Sequence, residues 1–224
     1  MKVQNTAALT AVWRSVAGVE SESIKYVGLK LKILGCIMGF LDKNSVDTIA
    51  QRTLEIDRIV KEINPKYVVE IGSGFSCRSI RFKKIKFYDM DLNYFSDYKK
   101  NLIAYDAGKD SIDLKIKNAV FIVEGVTMYL QKKEIEKLLK EIKKYKGHLV
   151  IDFLNAQNST KKTFREKVFK YLFKIVVQKE NLFEFRIKNV EEGISILEKS
   201  GYRNVRRIKL DVSKTLDELF YAEL

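Results

Sequence analysis

Apolar positions along the chain recur first with helical spacing and then in short runs. Residues 5–16, 26–41 and 45–63 show the 3–4 spacing of helices. Asn44 or Ser45 is expected as N-cap of the third, and Asn64-Pro65 as its stop. After Pro65 the texture changes. Short apolar runs at 67–71, 85–89, 119–123 and 148–153 each end in Gly or Asp and lead into a helical pattern. Runs apolar on both faces and alternating with helices predict a parallel sheet covered on both sides, an α/β fold. Residues 190–200 read as a helix closed by Gly201, and 205–212 and 216–224 as an antiparallel pair at the sheet edge. The stretch 155–188 breaks the alternation. It holds an expected helix at 163–178, which is either a cap over a ligand or a packing helix.

Composition narrows this picture. At 224 residues with one proline and eleven glycines, the chain suits one domain without a flexible linker. Its expected parts are helices over 1–64, a cofactor-binding core over 65–154, a cap over 155–189 and a C-terminal helix with edge strands over 190–224. The most apolar stretch, 27–41, is short and carries Lys30 and Lys32, so no membrane span is expected. No secretory leader is read, and two cysteines make no disulfide framework, which predicts a reducing, cytoplasmic setting. Lys+Arg exceeds Asp+Glu by 42 to 29, giving a net charge of +13. The lysines of 132–146 lie opposite Ile135, Leu138, Leu139 and Ile142, as on a solvated helix face. A basic field also draws acidic partners.

Ligands of open parallel sheets sit beyond the carboxyl ends of the strands. The first strand ends in Glu70 and leads into Gly72 and Gly74, which form either a ligand-approaching turn or a plain strand-to-helix connection. Asp89 and Asp91 follow Gly72 by 17 and 19 residues, a spacing that suits hydrogen bonds to a ribose diol. Arg52 falls within the apolar stripe of Ile49, Ile56, Ile59 and Ile63. A buried guanidinium needs an anion, here either an internal acid such as Asp57 or Glu70 or a ligand carboxylate. His148, the single histidine, opens its strand at the end away from the expected site. Cys77 reads as a buried structural thiol, and no metal-ligand spacing occurs.

Together these residues resemble the leucine carboxyl methyltransferase family of class I S-adenosylmethionine-dependent O-methyltransferases. The sequence at 124–130, EGVTMYL, is similar to that family's EGVxMYL segment. Residues 72–82 resemble its GAGxDTRxxRL, Arg52-Thr53 with Asp57 its RTxxxD helix, and 88–92 the end of its second strand. A weaker likeness covers Thr6 to Arg14. The resemblance implies a Rossmann-like sheet of seven strands, mostly parallel with an antiparallel edge strand, and S-adenosylmethionine as cofactor. It implies that Arg52 holds the methionyl carboxylate, that the backbone at Gly72 and Gly74 passes beneath the cofactor, and that Asp91 with Asp89 binds the ribose. Asp106 and Ala107 would take the place of the adenine-binding pair, and Glu124 would lie near the sulfonium and amino group with Glu70 at the strand end. The family's Asp-Thr pair is replaced by Ser76 and Cys77, and its DPxA-like segment is absent.

Methyl transfer is an in-line displacement in which positioning dominates. A carboxylate acceptor is already ionised, whereas a hydroxyl gains from a base. With no histidine near the site, an acidic small-molecule or protein acceptor is expected; Tyr129 and Arg78 are the nearby polar groups, and no catalytic base is assigned. Two alternatives stay open: an RNA or other nucleic-acid methyltransferase, and a non-catalytic binding protein on a degenerate methyltransferase fold.

Overall fold

A computed structural model describes residues 3–156, 164–177, 183–212, 215 and 217–224. Seven strands form one sheet: β1 (Tyr67–Ile71), β2 (Lys86–Asp91), β3 (Ile103–Ala104), β4 (Ala119–Val123), β5 (Gly147–Leu154), β6 (Arg203–Ile208) and β7 (Asp217–Glu223), in the order β3-β2-β1-β4-β5-β7-β6. β1 through β5 are parallel; β7 runs antiparallel to both β5 and β6, and the short helix α4 (Arg78–Arg81) lies between β1 and β2 in the chain. The reversed strand therefore lies inside the sheet, and β6 takes the edge.

The alternation of side chains along a strand explains why these runs are apolar throughout. Val69, Ile71, Phe121, Val123, Leu149 and Ile151 face α5 (Lys132–Lys143) and α7 (Val190–Lys199). The intervening Val68, Val120, Ile122 and Val150 face Ile56, Ile59 and Val60 of α3 (Lys43–Ile63). Glu70 and Asp152 share the parity of this second set, so strand geometry alone brings carboxylates to the face that α3 covers. A third apolar cluster joins α1 (Val3–Val16), α2 (Leu29–Leu41) and α6 (Phe164–Val177).

Some boundaries differ from the pattern. The helix expected over 26–41 is divided: a 3-10 turn spans Glu22–Tyr26, and Gly28, extended at φ −64° and ψ 150°, separates it from α2. The N-cap of α3 is Asp42 rather than Asn44 or Ser45, because its carboxylate accepts from the backbone N–H of Ser45 at 3.2 Å and from its hydroxyl at 2.7 Å. Asn64 closes α3 in the left-handed region at φ 45°, and Pro65 prevents continuation. The edge strand is shorter than expected and ends at Ile208. Of the expected cap, 157–163 and 178–182 lie outside the described residues; α6 packs beside α1 and α2, and Asn5 Nδ2 donates to the carbonyl of Val176 at 2.7 Å.

Candidate functional site

β1 ends in a loop built around two left-handed glycines, Gly72 at φ +71° and Gly74 at φ +45°. A Cβ at Gly72 would collide with Cγ2 of Val126. Glycine is thus required by space as well as by backbone angle. Asp91, at the end of β2, closes the loop: Oδ2 accepts from Gly74 N–H at 2.6 Å and Oδ1 from Leu92 N–H at 2.7 Å. Burial pushes its carboxyl up, and these two N–H donors pull against that. Beside the loop lies a cavity with about 70 Å³ of water-sized space, bordered by Gly72, Ser73, Gly74 and Phe75 and by the carboxylates Glu70 and Glu124. Thr6, Ala7, Thr10 and Arg14 of α1 also line it, with Arg52, Gly125 and Tyr129.

Behind the cavity lies a buried ionic network. Glu124 Oε1 accepts from Arg14 Nη2 at 2.8 Å and from Arg52 Nε at 3.0 Å, while Oε2 accepts from Arg78 Nη1 at 2.7 Å. Burial alone would push the Glu124 carboxyl up, but the three guanidinium groups overcome it and hold it well below the usual range. Arg52 Nη1 donates to Asp152 at 2.6 Å and to Asp217 at 2.5 Å. Arg78 donates to Asp57 at 2.8 Å and to Glu70 at 2.5 Å. Asp57 and Glu70 are therefore partners of Arg78, and Arg52 is matched by Glu124, Asp152 and Asp217 instead. Arg81, with Glu20 and Asp57, extends the network. Two carboxylates on one guanidinium nitrogen leave negative charge in excess. Burial pushes Asp152 up to about 7, with Asp217 adding to the shift and Arg52 opposing it. Asp217 is raised by burial as well, against the pull of Arg52. Burial also raises Glu70, with Arg78 opposing.

The expected site residues divide into four groups. Arg52, Glu70, Gly72, Gly74, Glu124 and Tyr129 meet around the cavity. Asp91 and Asp89 stand at the neighbouring strand end, where Asp89 Oδ2 accepts from Ser79 at 3.0 Å and lies 3.5 Å from Lys99 Nζ. Asp106 and Ala107 lie in the turn after β3, away from the cavity lining; Asp106 pairs with Lys109 at 2.9 Å and accepts from Gly108 N–H. Arg78 is wholly buried behind the cavity, with no surface for a substrate to touch. His148 is bound to Tyr221 at 2.7 Å at the opposite end of β5. Cys77 is buried, and burial lifts its thiol to about 11, as a structural thiol requires. No group able to hold a metal ion occurs among the described residues. The sequence reading missed Arg14, Thr10, Asp152 and Asp217. Thr6, Thr10 and Arg14 are spaced four apart on one face of α1, which is a usable signal.

The protein superposes on a candidate O-methyltransferase of Nostoc punctiforme with a TM-score of 0.58 at 15% identity, over 84% of this chain and 60% of that one. For a candidate methyltransferase of Thermobifida fusca the values are 0.59 and 10%, over 96% and 93%. The fold is that of the class I methyltransferases. Human N-acetylserotonin methyltransferase, solved in complex with S-adenosylmethionine, gives 0.52 at 11% identity, over 94% of this chain and 61% of its own. The chain thus spans about three fifths of the length of two of these three. No family model matches the sequence, and no curated protein matches it.

Proposed function

We propose that the protein is an S-adenosylmethionine-dependent O-methyltransferase acting on a carboxylate of an acidic small-molecule or protein acceptor. The observation that carries this reading is the charge pairing of the cavity, where Arg14 and Arg52 stand with Glu70 and Glu124 beside the glycine loop. An α-amino acid presents one carboxylate and one ammonium, and S-adenosylmethionine ends in such a group. The residues present fit it. Arg52 commits Nε and Nη1 within the protein and keeps Nη2 without a hydrogen-bond partner among the described residues. Ser73 Oγ is buried in the loop with no hydrogen-bond partner among the described residues. Each Asp91 oxygen accepts one N–H and retains a further lone pair for a ribose hydroxyl.

In this reading Arg52 orients the amino-acid carboxylate, Glu124 and Glu70 face the ammonium, and the backbone at Gly72 and Gly74 lets the cofactor approach. When bound, the cofactor supplies an electrophilic methyl on a sulfonium. The chain's part is alignment and exclusion of water. Tyr129 donates to Thr6 Oγ1 at 3.1 Å, and burial pushes its phenol up to about 12, so it offers no base near neutrality. A carboxylate acceptor, ionised already, needs none. The excess of basic over acidic residues favours its approach.

The test uses methyl-labelled S-adenosylmethionine with carboxylic acids, phenols and acidic proteins as acceptors. Methyl esters release methanol in mild base, and ethers do not. Label lost to base as methanol is the expected result. Base-stable label would overturn the carboxylate assignment, and cofactor binding with no transfer to any acceptor would favour the binding-protein alternative.

A further inference from the structure

In the fold, the most apolar stretch of the chain becomes α2, and four of its large side chains face outward. The side toward α1 buries Met38 between two glycines, Gly35 and Gly39. A Cβ at Gly35 would come within 2.9 Å of Val12, and one at Gly39 within 3.3 Å of Trp13, so the two helices lie in close contact. The outward side carries Leu29, Ile33, Ile37 and Phe40 at spacings of 4, 4 and 3, and these are 73%, 54%, 48% and 75% exposed. α6, packed beside α2, adds Tyr171 and Ile175, both more than half exposed. Isolated exposed apolar residues need no explanation, whereas a continuous helical stripe of large ones marks an interaction surface.

Charge around the stripe selects its partner. Residues 22–43, which hold the stripe, carry Lys25, Lys30, Lys32 and Lys43 against Glu22 and Asp42. Two copies meeting here would bring like-charged rims together, in a protein already at +13. An anionic lipid surface matches both the apolar stripe and the basic rim. At 13 residues, α2 is ~20 Å long, short of the ~30 Å hydrocarbon core of a bilayer. Among the described residues no helix is long and apolar enough to cross a membrane. Lying in the interface makes neither demand.

We propose that the α2–α6 face docks the protein on an anionic bilayer surface, with Leu29, Ile33, Ile37 and Phe40 entering the headgroup layer. α1, which lines the cavity with Thr6, Ala7, Thr10 and Arg14, packs directly against α2, so docking would set the candidate site about one helix diameter from the lipid. This inference stands independently of the methyl acceptor.

The experiment is sedimentation with vesicles of pure phosphatidylglycerol and of pure phosphatidylcholine, at low and high salt. Expected is binding to phosphatidylglycerol that weakens with salt, and at least about tenfold weaker binding by the I33S/F40S variant. Circular dichroism checks that the variant is folded. A second readout leaves the stripe's large side chains intact: Cys36 is exposed on α2 and Cys77 is buried, so an environment-sensitive dye attached at Cys36 should shift to the blue with phosphatidylglycerol. Three results would overturn the proposal. These are no binding and no dye shift, undiminished binding by folded I33S/F40S, or a dimer in sedimentation velocity that this variant dissolves while wild type ignores both vesicles.

Discussion

Glu124→Gln isolates the centre of the buried network. The substitution keeps shape and one acceptor oxygen but removes the charge that Arg14, Arg52 and Arg78 share. Arg52 retains Asp152 and Asp217, and Arg78 retains Asp57 and Glu70, but Arg14 is left with Glu20 at 3.4 Å. Removing one partner of a buried ion pair costs about 3–5 kcal/mol, mainly because the opposite charge stays desolvated. In a domain of this size each kcal/mol lowers the thermal midpoint by about 2–4 °C, so E124Q should melt about 6–20 °C below wild type near neutrality. The proper control is Arg58→Ala, which removes exposed pairs with Glu55 and Glu62 and should change stability by less than about 1 kcal/mol. The pH dependence carries a sign. Glu124 is depressed in the folded state, so its contribution is present above the ordinary value of 4.5 and fades as pH falls below it. Scanning calorimetry at several pH values therefore should show a gap between wild type and E124Q that narrows as pH falls below about 4.5. A gap no larger than that of Arg58→Ala, or one that widens in acid, would refute the reasoning.

Two further predictions follow from the same geometry. Asp152, at about 7, binds its proton more tightly folded than unfolded, so wild type should lose stability as pH rises from about 4 through about 7. D217N removes the like charge, and its thermal midpoint relative to wild type should be higher at about pH 8 than at about pH 5; an unchanged difference would count against the shared-guanidinium account. Gly72→Ala should cost about 1–3 kcal/mol from its φ of +71° and its clash with Val126, and Val126→Ala in the same chain should recover part of that loss in urea denaturation, whereas simple additivity would contradict the close approach.

The sheet was legible because its strands are covered on both faces and therefore read as unbroken apolar runs, and β4 is buried at every position. β3 escaped notice because two residues are too few to make a pattern. Arg52 stood out as a charge on an apolar stripe, but its partners did not. Asp152 and Asp217 are 100 and 165 residues away in sequence, and only the β5–β7 pairing brings them together. Asp57, an obvious local candidate for Arg52, instead serves Arg78 from the next helix. The motif resemblance puts Arg78 near substrate, but its guanidinium is enclosed by Asp57, Glu70 and Glu124, which no local pattern signals. The loop glycines and the β2 acid were readable because each sits at the carboxyl end of a strand, a position fixed by topology rather than by neighbours distant in sequence, whereas Glu124 is singled out only by the motif resemblance at 124–130.

The central claim is that the cavity beside Gly72 and Gly74, lined by Arg14, Arg52, Glu70 and Glu124, takes the amino-acid end of S-adenosylmethionine. The most direct measurement is a calorimetric titration with S-adenosylmethionine and with S-adenosylhomocysteine, paired with thermal midpoints at saturating ligand. The account predicts one saturable site and, at about 100 times the dissociation constant, a rise of roughly 5–10 °C. No heat and no shift with either ligand would contradict it.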